Sequence, residues 1–387
     1  MDAAPREKRF GRNGIVVGAD SQDGSGPPLH GRKSLFPLKK QYISLLAGAP
    51  APHMARRHKP RRGSLGFWPR KRAASIVPRY STWPAGPAKP HIENFAGYKV
   101  GMTHALMVDF RKRSTTAGQE VSVPVTVLEA PPLKVAGVRL YRESTGGLRA
   151  VAELWSNDLD PHLWRRIPER EKDEAFEEKA KKFSAAKGTE VRLIVHTQPH
   201  LVNSLPGKTP EIFEVRISGE KVEERKKWGL DHLGKELKIE DFIKEGEMVD
   251  VTAVTKGKGF QGHIKRFHVK LQPHKNSKHR RMIGTLGPHN PSYVTYRIPQ
   301  AGQMGFHRRT EYNKRVLRIV ENPKEGALNP SGGFLHYGLV QNPAIVFHGT
   351  IPGPARRLVG LRLPMRFRGG QEKIDIRYLS TLSKSGV

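Results

Sequence analysis

The 387-residue chain contains no cysteine. That absence excludes disulfides, thiolate nucleophiles, zinc knuckles and iron–sulfur clusters together. Long apolar runs are missing too: stretches such as 42–51 fall far short of the ~20 residues a membrane-spanning helix needs. The opening MDAAPREKRF lacks the apolar core and the cleavage site of a secretory signal, so a soluble intracellular protein is the expectation. Acidic residues are scarce, 36 against 68 Lys and Arg, for a formal net charge of +32. A balance this basic points away from acidic-protein partners and neutral metabolites and toward a polyanion, of which nucleic acid is the commonest. Hydrophobic residues make up only 36%, enough for a modest core in two or three domains.

The acid deficit is concentrated. No Asp or Glu occurs from Gly24 to Ile92, and none from Val251 to Thr310. The second stretch is 60 residues long and holds 12 Lys or Arg and six His. A solvated face mixes charge signs, because a field of one sign destabilises the compact state. Sixty residues of one sign therefore need an external counter-charge, which RNA phosphates supply with release of counterions. The candidate contacts are Arg56, Arg57, Lys59, Arg61, Arg62, Arg70, Lys71 and Arg72 in the first stretch. In the second they are Lys256, Lys258, Lys265, Arg266, Lys270, Lys275, Lys278, Arg280, Arg281, Arg308 and Arg309. Arginine forks match phosphate oxygens, and Gly257-Lys258-Gly259 offers backbone N–H groups beside a charge. Of the aromatics here, Phe260 and Phe267 read as packing residues and Tyr293 stays open between packing and base stacking.

The rest of the chain organises around these stretches. Residues 1–53 show no periodicity and read as a disordered tail. The abrupt switch to MARRHKPRRG raises Met54 as an alternative start. Residues 54–94 read as an extended basic arm with Phe67, Trp68, Tyr80 and Trp83 interleaved. Strand-like runs begin near Phe95. Between 133 and 246 strands alternate with an expected surface helix over 169–187, striped by Ala175, Phe176, Ala180 and Phe183, and with two short helices over 220–245. Strands resume at 248–254, 315–320, 334–340, 344–350 and 358–363, punctuated by Gly and Pro. The fold class expected is mixed β: an antiparallel β-barrel interrupted by an α/β module, with long basic non-globular extensions.

Signatures of chemistry are weak. GKGFQG at 257–262 lacks the P-loop spacing, GxSxG is absent, and carboxylates concentrate in 143–250, away from the basic stretch. His263, His268, His274 and His279 are spaced five, six and five apart, which is not a helical ligand pair, and no carboxylate completes a site. The expectation is no enzyme, no cofactor, no metal and no small-molecule substrate. The alternative, an RNA-modifying or RNA-remodelling enzyme, needs a nucleotide, methyl-donor or metal site.

Several long motifs carry a resemblance: GSLGFWPRKRA (63–73), FAGYKVGMTH (95–104), DVTAVTKGKGFQG (250–262), PQAGQMGFHRRTEYNKR (299–315) and GTIPGPARRLV (349–359). From about Met54 to the C-terminus the chain resembles the universal large-subunit ribosomal protein family L-three in its archaeal form. Residues 1–53 lie outside the resemblance, which favours the Met54 start. The resemblance implies a translation-factor-like barrel from 95–132 and 247–387, an inserted module at 133–246, and an arm (54–94) and a long loop (256–310) that enter the rRNA. It implies direct binding to large-subunit, 23S-class rRNA, a role in early subunit assembly, neighbouring ribosomal proteins as partners, and a loop reaching toward the peptidyl transferase centre. Many members have Trp at the loop tip; GPHNP places His289 there, so His289 is the expected tip residue and a further rRNA contact.

Overall fold

The computed structural model describes residues 63–111, 113–169, 174–323, 328–367, 369, 371 and 373–383. Seven strands build the first sheet: β2 (Asn94–Val108), β3 (Glu120–Glu129), β9 (Met248–Val254), β12 (Arg308–Val320), β13 (Ala344–His348), β14 (Leu358–Arg362) and β15 (Ile376–Leu379). All pairings are antiparallel, in the order β14-β9-β12-β13-β3-β2-β15, and β14 also pairs β2. Six strands thus pair in a ring, and β15 adds to the far end of β2 through Met107, Leu106 and Ala105.

Alternation explains why these segments are strands. Ile345 and Phe347 of β13 lie in one core cluster, while Ala344 and Val346 lie in another. Leu128 and Val127 of β3 divide the same way, as do Val359 and Leu358 of β14. A period of two buries both faces of the sheet, so its strands are apolar on both sides. The second cluster is covered partly by Val202, Leu205, Phe334, Tyr337 and Val340 from connecting loops.

The second sheet contains β1 (His91–Ile92), β4 (Leu133–Ser144), β5 (Gly147–Trp155), β6 (Glu190–His196), β7 (Ile212–Ser218) and β8 (Glu236–Leu237). Its order is β1-β7-β6-β4-β5, with β8 paired to β4. The first core cluster continues into it without a break, through Val138, Leu193, Val215 and Ile217. Helix α1 (Phe176–Ala185) buries Phe183 there and packs Phe176 and Ala180 alongside, as the expected stripe requires. Residues 170–173 of the expected helix lie outside the described residues. Helix α2 (Val222–Asp231) sends Lys226 back to the end of α1, where its ammonium donates to the Ser184 carbonyl at 2.9 Å and to Ala186. A cation at a helix C-terminus offsets the partial negative charge of the last carbonyls.

Two expected elements are different. The second helix of 220–245 is replaced by β8 and turns: Gly234, at φ +77°, ends the helical run, Glu236–Leu237 pairs with β4, and Ile239 and Phe242 enter the core from a turn. The expected strand 334–340 reduces to a single bridge between Phe334 and Gly338. The buried Glu129 carboxylate explains that chain reversal. It accepts from the Tyr337 hydroxyl at 2.5 Å, from the Gln341 and Asn342 N–H groups at 3.2 and 3.0 Å, and from Asn342 Nδ2 at 2.7 Å.

Candidate nucleic-acid interface

The long acid-free stretch leaves the ring between β9 and β12. Its stem is a two-residue ladder, β10 (Phe260–Gln261) on β11 (Gly302–Gln303). At the crossing, Gly305 sits at φ +71°, and a Cβ there would lie 2.1 Å from the Lys256 carbonyl oxygen, so only glycine fits. A short helix, α3 (His263–Phe267), follows and ends at His268 in the left-handed region. Phe267 is fully buried and anchors the stem, whereas Phe260 is 78% exposed. The packing expected for Phe260 fails because a two-residue ladder has no second layer to cover it.

The arm does not stand away from the body. Ser64 caps a single 3-10 turn, Leu65–Phe67, its Oγ accepting from Gly66 N–H at 3.2 Å. Trp68 then stacks on Phe267 at 5.7 Å, and Tyr296 meets Trp68 edge-on at 5.9 Å. Arg70 and Arg266 clasp each other's backbone: Arg70 Nη1 donates to the Arg266 carbonyl at 3.2 Å, and Arg266 Nη2 donates to the Arg70 carbonyl at 3.3 Å. Arg266 also donates to the Gln303 carbonyl at 3.0 Å and the Gln300 carbonyl at 2.9 Å. His307 Nδ1 donates to the Lys71 carbonyl at 2.9 Å, and Arg308 to the Arg79 carbonyl at 3.2 Å. Further along, Gly360 of β14 admits Tyr80 and Pro78; a Cβ there would lie 2.5 Å from the Tyr80 hydroxyl.

These contacts sort the sequence-predicted residues. Arg70, Arg266 and Arg309 are partly buried, and all three spend donors on backbone carbonyls of the protein itself. Arg309 lies over Phe67 at 4.5 Å. Burial, and then the neighbouring Arg70 charge, lowers the pKa of both Arg266 and Arg309 below the ordinary arginine value. Lys71, Arg72, Lys256, Lys258, Lys265 and Arg308 are exposed around the stem. Lys270, Lys275, Lys278, Arg280, Arg281 and His289 are exposed along the loop. The Lys258 N–H donates to the Met304 carbonyl at 2.9 Å, so it closes the stem instead of facing a phosphate. Arg56, Arg57, Lys59, Arg61 and Arg62 lie outside the described residues. Arg297, exposed beside Tyr296 at 5.7 Å, joins the basic surface; it lies in the second acid-free stretch and was legible there.

Where arm, stem and ring meet, a cavity of about 350 Å³ is lined by Arg70, Lys256, Lys258, Arg266 and Arg309, together with Thr255, His307 and residues 303–305, and by no carboxylate. Burial, followed by the adjoining arginines, lowers the His307 pKa, against the raising effect of its Lys71 hydrogen bond. Five cations converging on one concavity of this size suit an anion of phosphate dimensions. Among the described residues, no group of three or more His, Asp or Glu could hold a metal ion, and no helix is long and apolar enough to cross a membrane.

Comparison with known proteins bears on the whole of this architecture. The family model for ribosomal protein L3 matches residues 53–386. The chain belongs to the ribosomal protein L3 family. It is 47% identical over 334 residues to the large ribosomal subunit protein uL3 of Picrophilus torridus, covering 86% of this chain and 100% of that one. It is 49% identical over 338 residues to uL3 of Thermoplasma volcanium, covering 86% and 100%. With uL3 of Archaeoglobus fulgidus it shares 48% over 335 residues, covering 85% and 99%. The family match includes the described arm, both sheets and the basic loop.

Proposed function

We propose that this chain is a structural constituent of the large ribosomal subunit that binds large-subunit rRNA directly. The observation that carries the reading is the carboxylate-free cavity of five cations at the root of an exposed basic loop. The clasped arm and stem present one surface of fixed shape, and the exposed cations from Lys270 to Arg281 extend it outward. Each phosphate neutralised there releases counterions, which favours binding and makes it salt-dependent. Because arm and loop are joined through Trp68, Phe267 and the two arginines, rRNA that grips one orders the other, which suits a protein that supports early assembly. The loop is directed toward the peptidyl transferase centre, with His289 at its tip.

In this reading the ring of six strands is a translation-factor-like β-barrel built from 95–132 and 247–387, and 133–246 is a module inserted into it. Residues 54–94 are the rRNA-binding arm. Neighbouring large-subunit proteins complete its surroundings, the ribosome in the cytoplasm is its location, and it performs no chemistry. Sedimentation of native lysate through a sucrose gradient in high salt tests this. Stoichiometric retention in the large-subunit peak is expected. Release to the top of the gradient, or presence only on precursor particles, would overturn it.

A further inference from the structure

A second concavity is lined by a later part of the arm. The segment containing Arg79, Tyr80 and Trp83 covers one face of the second sheet and leaves a cleft of about 520 Å³ against β4, β6 and β7. A ladder of alternating charge crosses that face. Arg139 donates to Glu214 at 2.5 Å, Arg192 to Glu214 at 2.9 Å and to Glu190 at 2.7 Å, and Arg216 to Glu93 at 3.1 Å. These side chains hold one another and provide a rigid floor. Trp83 is half-buried on the floor, with the Arg192 and Arg216 guanidinium groups 5.8 and 5.9 Å from its ring centre. Trp155 and Phe213 add two further aromatic walls.

The mouth differs from the floor. Arg79 is exposed and makes no ion pair among the described residues. Arg166, 48% exposed, holds Glu211 at 3.2 Å through one nitrogen. Arg139 and Arg192 are neutralised by Glu153, Glu190 and Glu214, which leaves Arg79 and the half-exposed Arg166 as the cationic groups at the mouth. Aromatic walls over a fixed floor, with positive charge at the rim, match a base and its phosphate. A cleft of about 520 Å³ is in the volume range that holds one small ligand. The Arg79 carbonyl is tied to Arg308 of the loop stem, so the cleft adjoins the surface assigned above to rRNA.

We propose that this cleft takes one unpaired nucleotide of the bound RNA, its base among Trp83, Trp155 and Phe213 and its phosphate toward Arg79 and Arg166. The assignment rests on the rRNA-binding reading and adds a base-holding site outside arm and loop.

The test is photocrosslinking of the full chain to a large-subunit rRNA transcript containing 4-thiouridine, with crosslinked peptides mapped by mass spectrometry. Expected are peptides carrying residues 80–83 or 212–214. Their yield should fall at least fivefold in an Arg79→Ala/Arg166→Ala variant, whose exposed replacements leave the core intact, while crosslinks from 270–281 persist. Crosslinks at 256–310 with none in the cleft would overturn the proposal and leave the rRNA reading standing. Unchanged cleft yield in the double variant would overturn the phosphate assignment. No crosslink anywhere on the chain would overturn the rRNA reading, and this site with it.

Discussion

Replacing Asp250 with Asn is expected to loosen the ring and release the arm in one step. Asp250 is fully buried on β9, and Arg362, 4% exposed, is its register partner on β14. One carboxylate oxygen accepts from Arg362 Nη2 at 2.7 Å and from the Met365 N–H at 3.1 Å. The other accepts from the Asn313 N–H at 3.1 Å, at the register shift in β12. Arg362 Nη1 donates to the Thr82 carbonyl at 2.7 Å, so the same pair holds the arm. The amide keeps the shape but removes the charge, and its NH₂ group must face a donor. Breaking one side of a buried ion pair costs roughly 3–5 kcal/mol, because the remaining charge stays desolvated. At roughly 2–4 °C per kcal/mol for domains somewhat smaller than this chain, Tm falls by roughly 6–20 °C. Circular dichroism of thermal unfolding measures the fall, and hydrogen exchange over 78–83 reports the arm. An Asp250→Asn/Arg362→Met variant should recover part of the loss, since removing the second charge leaves none orphaned. A Tm for Asp250→Asn within about 2 °C of the parent would refute the reasoning.

Other expectations follow from the same geometry. Gly360→Ala should push Tyr80 and Pro78 off β14, raising exchange over 78–83 while β14 itself stays protected; an unchanged arm would contradict the close approach. Replacing Arg280 and Arg281 with Ala should weaken rRNA binding and make its log–log salt dependence shallower by about 1–2, and an unchanged slope would count against phosphate contact there. His307 has a lowered pKa in the folded protein, so the folded state binds fewer protons than the unfolded one. Its contribution is complete above the unfolded value near 6.5 and declines as pH falls from there through the folded pKa. Protection of arm amides near Lys71 should therefore drop as pH falls below about 6.5. The drop should be absent in His307→Gln, and an identical pH profile in that variant would exclude His307 as its cause.

The basic surface was legible because charge is a property of composition. Sixty residues without a carboxylate read the same in a string as in a fold. Strands were legible where short apolar runs lie between Gly and Pro, as in β13 and β14, and α1 was legible from its Phe176, Ala180 and Phe183 stripe. Residues 334–340 look like another strand, yet a buried Glu129 more than 200 residues away holds the Tyr337 hydroxyl and the Gln341 and Asn342 N–H groups just beyond it, which fixes a chain reversal instead. The apolar content of 239–243 suggested a helix, but those side chains reach the core from a turn once β8 has paired with β4.

The sequence by itself therefore determined the chain's own excess of positive charge and where it concentrates, the absence of thiol chemistry, the positions of most strands and the family. These depend on residue identity and local period. Only the tertiary structure decided which cations face outward. Arg70 and Arg72 are two residues apart and read alike, but one clasps Arg266 and the other is exposed. Closure of six strands into a ring, and the gathering of Arg70, Lys256 and Arg309 around one cavity, bring together residues from distant parts of the chain. Such contacts are fixed by packing the whole core at once, and no local pattern encodes them.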